Sequence, residues 1–537
     1  MEGQHPERQI SQKSDSKHFQ NTFKLDKNHN DLLFLSYPYR KSLLASIAIL
    51  LTFSFLLVLL FFIFIFFPAC TDKLIANDPS FVELSLERLG DDFDLGSFVH
   101  ALRANSTVKH VCFSGTFVRE LQDAQWRLLL QSIGQLATLE ELQIWCSTIP
   151  TAVFAETIQA AQSLQKVYFF RVGLEGTQAD FDALAEAIAA HPNLRDVRIG
   201  GFHILEPNQN QQQQQQQQQQ PLLNNDIQLD RVVQALATAP KLEVVSLQLS
   251  SAQQAVPFGT DAIAQLLASD TITDLYLSRL GLGEGHLAVI AQGLAVNTTL
   301  RVLDLFGNTI ENPHVMAMAN ALAQNNSVEI LVLPCPANDL SVEACAAISE
   351  ALKKNNKLTT LNLPRSNLSD EGITHLAQGL TVNKTLKKVE VGVSKTVGDT
   401  GINALMDMLD KNYKLERMVV SSADQSIKEK TEYYMRLNEV GRGNLLASGK
   451  ATREQWVEML ITVQNDLDCL FYFISSNPTL CQFANVQRAS VIVTEELRIR
   501  RRHTFGGYPD YGTSNKYSVE RDMDEPYEPR TRRASAF

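Results

Sequence analysis

The sequence predicts a parallel α/β solenoid: strands stacked edge to edge on one side, helices on the other, one N-terminal transmembrane helix and a helical C-terminal cap. Three observations carry this. An apolar pattern of the form LxxLxL returns eleven times with a period near 28 or 29 residues. A second apolar residue stands six positions ahead of every copy. And residues 43–67 form a stretch of 25 without a single charge.

Taken in chain order, the first 42 residues are polar and read as a disordered tail. The segment Leu43 to Phe67 follows. As a helix it would extend about 37 Å, against about 30 Å of hydrocarbon. A cleaved signal peptide is the rival reading, but its apolar core should run to only about 7–15 residues near the N-terminus. The sole small-residue cleavage candidate, FPA ending at Ala69, is poor. Lys24, Lys27, Arg40 and Lys41 precede the segment, whereas only Lys73 follows it closely, among Asp72, Asp78, Glu83 and Glu87. That bias places the N-terminus in the cytosol and the solenoid in a lumenal or extracellular space.

The repeats occupy 71–421. Their first residues are Val108, Leu139, Leu164, Leu194, Leu242, Ile272, Leu300, Val328, Leu358, Leu386 and Leu415, with a weaker copy at Phe81. Stripes such as Leu287, Ile290, Ala291 and Leu294 have helical spacing, so each unit reads as strand, turn and amphipathic helix. No unit can cover its own apolar faces. Stacking satisfies the strand edges and builds one continuous core, each buried Leu contributing about 1.5–3 kcal/mol. Asn308 fits the turn after the strand, where its side chain can bond neighbouring backbone. Leu280, Pro336, Ser366 and Ser394 replace it elsewhere, which predicts irregular turns. One spacing of 48 residues contains Gln211 to Gln220, a run of ten glutamines, and 204–225 reads as a disordered insert.

With the two registers in view, the array resembles the leucine-rich repeat in its ribonuclease-inhibitor-like form, over about residues 81–420. Its repeats are similar to those of NOD-like receptors and of the Ran GTPase-activating protein. The resemblance implies a concave parallel sheet, convex helices and a role in protein recognition. The chain lacks the LxGxIP signature of the plant extracellular class and the cysteine density of ribonuclease inhibitor.

Residues 422–481 read as helices that cap the solenoid; TREQWVEML carries Thr452 and Gln455 at capping-box spacing. The order of RLNEVGRG, TREQWVEML and DLDCLFYFISSNP is similar to the C-terminal region of uncharacterised microalgal leucine-rich-repeat proteins, which implies no activity. Residues 482–537 read as a disordered tail, in which Thr504 and Ser535 follow arginine pairs as in basic-directed kinase sites.

Recognisable chemistry is missing. GNLLASGKA is not a Walker loop, because one residue too many separates its glycines and Ala follows the Lys. There is no HExxH, no GxSxG and no nucleotide-binding GxGxxG. The seven cysteines have no CxxC spacing, and the eleven histidines no ligand spacing. No catalytic residue, cofactor, metal or small-molecule substrate is therefore expected. The net charge of -11 argues against a nucleic-acid partner. Sequons at Asn105, Asn297, Asn325, Asn367 and Asn383 suit a lumenal, glycosylated solenoid, yet four share one repeat position that is also typical of cytosolic members of this repeat class.

Strand alternation points to where a partner sits. If Leu300, Leu303 and Leu305 face the core, Arg301, Asp304 and Phe306 face outward. The equivalent positions include Trp145, Tyr168, Phe170, Arg198, Tyr276, Asn362 and Glu390. Exposed aromatics beside an arginine resemble an interface hot spot, though the same residues also have the chemistry to pack on one another. The expected function is a membrane-anchored scaffold that binds a protein partner through the concave face, with the bilayer engaged by 43–67. A regulator of a small GTPase, resembling the Ran GTPase-activating protein, is the alternative and needs a cytosolic solenoid. An enzyme with an unrecognised site is a third reading.

Overall fold

The computed structural model describes residues 72–476, apart from 87–93, 114–122, 206–225, 251–255, 337–338, 395–396, 422–424 and 444–451. The expected tail 1–42, the segment Leu43–Phe67, most of the glutamine-rich insert and the tail 482–537 lie outside the described residues. Ile204 and Leu205, expected within the insert, are buried and end a strand instead.

Twelve strands follow one another in a single parallel sheet: β1 (Glu83–Leu86), β2 (His110–Phe113), β3 (Glu141–Trp145), β4 (Lys166–Phe170), β5 (Asp196–Leu205), β6 (Val244–Leu249), β7 (Asp274–Ser278), β8 (Val302–Asp304), β9 (Ile330–Val332), β10 (Thr360–Leu368), β11 (Lys388–Val393) and β12 (Arg417–Ser421). The short strands Thr148–Pro150 and Gly173–Glu175 extend it beside β5. Register repeats from unit to unit: Leu303 pairs with Leu275 on one side and Leu331 on the other. Leu300, Leu303 and Leu305 are fully buried, as are Leu358 and Leu386 in their own units.

Each crossover is a helix. Those used below are α1 (Leu95–Ala104), α2 (Asp123–Gly134), α3 (Thr151–Ala160), α4 (Gln178–Ala190), α5 (Asp230–Thr238), α6 (Thr260–Ala268), α7 (Glu284–Val296), α8 (Asn312–Leu322), α9 (Val342–Lys354), α10 (Asp370–Val382) and α11 (Asp399–Lys411). In α7 the buried stripe is Leu287, Ile290, Ala291 and Leu294, the set that the 3.6-residue period selects. Packed helices stand about 8–10 Å apart but paired strands only about 4.8 Å. A stack with one of each per unit must bend with the sheet on its inner side.

The turns are held by buried asparagines. Asn105, Asn297, Asn325, Asn355, Asn383 and Asn412 each stand three residues before the start of the leucine pattern and are nearly inaccessible to solvent. Each accepts from the two backbone N–H groups that open its own strand segment; Asn355 Oδ1 takes Lys357 N and Leu358 N at 2.9 and 2.8 Å. Each donates backward to the preceding unit; Asn355 Nδ2 reaches Leu322 O and Asn325 O at 2.9 and 2.8 Å. Those carbonyls lie at or just beyond the end of the previous helix, where an α-helix leaves acceptors unpaired. His191 fills the same position, with Nε2 at 2.9 Å from Ala161 O. Asn308 performs the related task at the far end of the strand: its amide bonds Leu277 O and Leu305 O and its oxygen accepts from Leu280 N and Leu282 N.

Beyond β12, α12 (Gln425–Glu439) buries Ile427, Thr431, Met435, Leu437 and Asn438. Arg442 follows it, fully buried. Its Nη2 donates to Leu409 O and Asn412 O at 2.7 and 3.0 Å, the two carbonyls that the next asparagine of the ladder would take. Its Nε donates to Asn438 Oδ1, and the guanidinium lies 5.0 Å from the Tyr434 ring centroid. The negative end of the α11 dipole makes this a favourable place for a cation.

The helical region expected as one cap over 422–481 divides. Compact packing places α12 with the repeats and separates the chain between Trp456 and Val457, inside α13 (Arg453–Thr462). The second unit contains the rest of α13 and α14 (Leu467–Ser476). Thr452 and Gln455 do form the expected reciprocal cap of α13.

The membrane placement requires correction. Among the described residues no helix is long and apolar enough to cross a membrane. The longest, α12, has 15 residues, which extend about 22 Å against about 30 Å of hydrocarbon. On that finding the single-pass placement, with a cytosolic N-terminus and a lumenal or extracellular solenoid, is withdrawn, and with it the bilayer as a partner of 43–67.

Candidate functional site

The open face of the sheet is built by the residues that alternate with the buried leucines. One row crosses it at constant height: Gln143, Tyr168, Arg198, Ser246, Tyr276 and Asp304 are direct register partners on β3 to β8. A second row begins two residues further along the strands, where Trp145 pairs with Phe170 and Phe170 with Gly200. Five expected residues, Trp145, Tyr168, Phe170, Arg198 and Tyr276, are thus brought together. Asp304 carries the first row onto β8, and Phe306 stands just past the end of β8, exposed and beneath the Arg279 guanidinium at 5.9 Å.

The centre of the patch is a charge cluster. Arg198 donates to both oxygens of Asp196, Nε to Oδ1 at 2.9 Å and Nη2 to Oδ2 at 3.0 Å. Tyr168 donates its hydroxyl to Asp196 Oδ2 at 2.9 Å. The guanidinium lies 5.3 Å from the Tyr168 ring and 6.0 Å from the Tyr276 ring. It reaches Tyr276, two strands away, because the intervening register partner is the small Ser246. The hydrogen bond to Asp196 holds the Arg198 guanidinium even more firmly protonated than usual. Burial, then the bond to Asp196, raises the Tyr168 hydroxyl well above the ordinary phenol range. Burial also raises Tyr276, with Asp274 adding to it. Asp304 is raised by burial, against the pull of the Phe306 N–H and the Ser278 hydroxyl.

Trp145 and Phe170 form the apolar edge, with ring centroids 5.1 Å apart. Trp145 Nε1 donates to Gln143 Oε1 at 3.2 Å, so the indole's polar atom is satisfied within the patch. Phe170 is 39% exposed. Gly200 beside it has no side chain, and a Cβ there would stand 3.3 Å from Phe170 Cδ2. The aromatics therefore pack on one another and still present a surface.

Sequence reasoning missed Asp196, the hub of the cluster. Its signal was a carboxylate two residues before Arg198 on the same strand face. Arg171 and Arg279 were missed because nothing in composition shows that their turns swing them toward the exposed aromatics. Asn362 and Glu390 lie further along the row and bond each other at 3.0 Å.

The sequon asparagines serve the fold. Asn105, Asn297, Asn325 and Asn383 are buried, and Nδ2 of each donates to a carbonyl of the preceding unit. That nitrogen is the one a glycan would take, so attachment is at odds with the folded repeat. Asn367 Nδ2 meets Asp339 Oδ1 at 2.5 Å on the surface.

Among the described residues no group of His, Cys, Asp or Glu is placed to hold a metal ion. Cys345 is buried, which pushes its thiol up to about 12. The arrangement offers recognition chemistry: aromatic area, a paired guanidinium and half-buried hydroxyls.

Comparison with known proteins agrees with the repeat architecture. A family model described as Leucine Rich repeat matches residues 296–319 and 354–377. The chain is 28% identical over 183 residues to NACHT, LRR and PYD domains-containing protein 13 of Homo sapiens, covering 34% of this chain and 17% of that protein. It is 28% identical over 135 residues to Leucine-rich repeat-containing protein 45 of Gallus gallus, covering 25% of this chain and 20% of that protein. The chain thus spans a fifth or less of the curated relatives it matches. Among solved structures, that of a TLR13–ssRNA13 complex is similar over 58% of this chain and 36% of that one, at 15% identity and a TM-score of 0.32.

Proposed function

We propose that this leucine-rich-repeat protein is an interaction scaffold whose open sheet face binds a protein partner. The observation that carries the reading is the patch on β3 to β7: the Trp145–Phe170 pair beside Arg198, which two tyrosines flank and Asp196 anchors. Aromatics and arginine supply most hot-spot energy at protein interfaces, and here Trp145 Nε1, the Tyr168 hydroxyl and Arg198 Nε and Nη2 already have partners, so little is lost at those atoms when water leaves.

The test is partner capture by the full chain and by a Trp145→Ala/Tyr168→Ala variant. We expect the variant to weaken capture by about 30-fold or more, as loss of a hot-spot residue does. Its thermal unfolding should stay near that of the parent, since both residues are only half-buried. Equal capture refutes the reading. Regulation of a small GTPase remains the alternative function of the same face, and a GTP-hydrolysis assay with candidate GTPases separates the two.

A further inference from the structure

Three arginines stand at one equivalent position of the repeat, three residues beyond the row that contains Tyr168, Tyr276 and Asn362. They are Arg171, Arg279 and Arg365, with φ of 55°, 52° and 53°. This is the left-handed region, costly for any side chain that carries a Cβ. Glycine fills the same position elsewhere, as Gly201 at φ 66° and Gly307 at φ 77°. All three arginines are exposed. No carboxylate of a described residue pairs with them, whereas Arg127, Arg195, Arg198 and Arg231 each have one.

The following strand makes room for two of them. A Cβ on Gly201 would meet the Arg171 stem at 3.5 Å, and one on Gly307 would collide with the Arg279 stem. Beside Arg365 the equivalent position is Val393, and the glycine one residue earlier, Gly392, faces the turn backbone, where a Cβ would stand 3.3 Å from the Arg365 carbonyl carbon. Two of the guanidinium groups also lie over exposed rings, Arg171 over Phe170 at 5.5 Å and Arg279 over Phe306 at 5.9 Å.

The spacing is regular. Arg171 follows β4, Arg279 follows β7 and Arg365 lies within β10, so three strand steps separate each pair in the order of the sheet. That is about 14 Å between neighbours. An extended polypeptide rises about 3.3 Å per residue, so about four residues span each interval. We propose that this row binds an extended acidic segment of the protein partner, one carboxylate per arginine, at every fourth residue. The inference rests on the reading of the sheet face as a protein-binding surface. A lone guanidinium matches a carboxylate in charge and fork geometry, while a phosphate dianion would be left half-neutralised. Three cations about 14 Å apart are also sparse for a nucleic acid, whose strand carries a charge about every 3.4 Å.

The test is fluorescence anisotropy of the full chain with a labelled Ser/Gly peptide bearing three glutamates at every fourth position. We expect this peptide to bind about 10-fold more tightly than one of the same composition with its glutamates adjacent, and the contrast to shrink in high salt. A triple Arg171→Gly/Arg279→Gly/Arg365→Gly variant should lose binding by at least about 10-fold. It should unfold no more readily than the parent, because glycine is at ease in this conformation. Undetectable binding, equal affinity of parent and variant, indifference to glutamate spacing, or tighter binding of a phosphoserine peptide or a single-stranded oligonucleotide would each overturn the proposal. If it fails while Trp145→Ala/Tyr168→Ala still abolishes partner capture, the face remains a binding surface and only its chemistry is wrong.

Discussion

Replacing Asn355 by Ala removes a side chain that joins two repeats. Four hydrogen bonds go with it, two donated to Leu322 O and Asn325 O and two accepted from Lys357 N and Leu358 N. Asn355 is 4% exposed, so water has poor access to the four backbone groups left behind. Each buried group stranded in this way costs about 1–3 kcal/mol. Relaxation and partial hydration take back part of that, and we expect a loss of about 4 kcal/mol. Asn326→Ala, in the preceding repeat, is the control: this side chain is exposed and makes one weak bond of 3.4 Å to Gln324 O. That variant should stay within about 0.5 kcal/mol of the parent. Asn355→Ser should fall between, because serine at this position, as Ser269 shows, keeps local bonds to Thr271. Urea unfolding followed by far-ultraviolet circular dichroism measures all three. If Asn355→Ala and Asn326→Ala unfold alike, the ladder does not hold the repeats together and its geometry is incidental.

Two further outcomes follow from buried positions. Burial lowers the His191 pKa, against the raising effect of its bond to Ala161 O, so the folded protein prefers the neutral ring. The unfolded chain then binds the extra proton first, and His191 costs stability as pH falls below about 6.5. The thermal midpoint of the parent should drop between pH 7.5 and 5.5 by more than that of His191→Asn, and equal drops would refute this. Gly379→Ala should destabilise by about 1–3 kcal/mol in the same urea assay, because a Cβ there would stand 2.8 Å from the Ser349 backbone of α9. An unchanged midpoint would show that α9 and α10 can separate freely.

Much of the architecture was legible because burial repeats. Leu300, Leu303 and Leu305 are spaced as a strand that turns inward, and Leu287 to Leu294 as a helix stripe. The role of Asn308 was also legible, since a short amide at that turn can donate to and accept from backbone at once. The ladder asparagines were harder. Asn297, Asn325 and Asn383 precede Thr or Ser by two residues, so the letters of a sequon and of a turn-holding amide coincide. Only burial separates them. The open face was legible as residues but not as contacts. Alternation placed Trp145, Tyr168 and Arg198 there, whereas the reach of Arg198 to Tyr276 depends on Ser246 being small. The left-handed turns at Arg171, Arg279 and Arg365 were invisible, because no property of an arginine announces a positive φ. The apolar run Leu43–Phe67 was compelling in composition, yet the membrane placement drawn from it does not stand.

Arg442 sets how long the array is. Six of the rungs, Asn105, Asn297, Asn325, Asn355, Asn383 and Asn412, are neutral amides, which can be copied along with their repeats when a gene segment duplicates. The final rung is a cation wedged under a tyrosine. A new repeat inserted after β12 would have to evict that charge into water and hand its two carbonyls to another amide. Duplication inside the stack meets no such obstacle. Growth and shrinkage of this protein's relatives should therefore occur between interior units, with the arginine travelling as a fixed terminus.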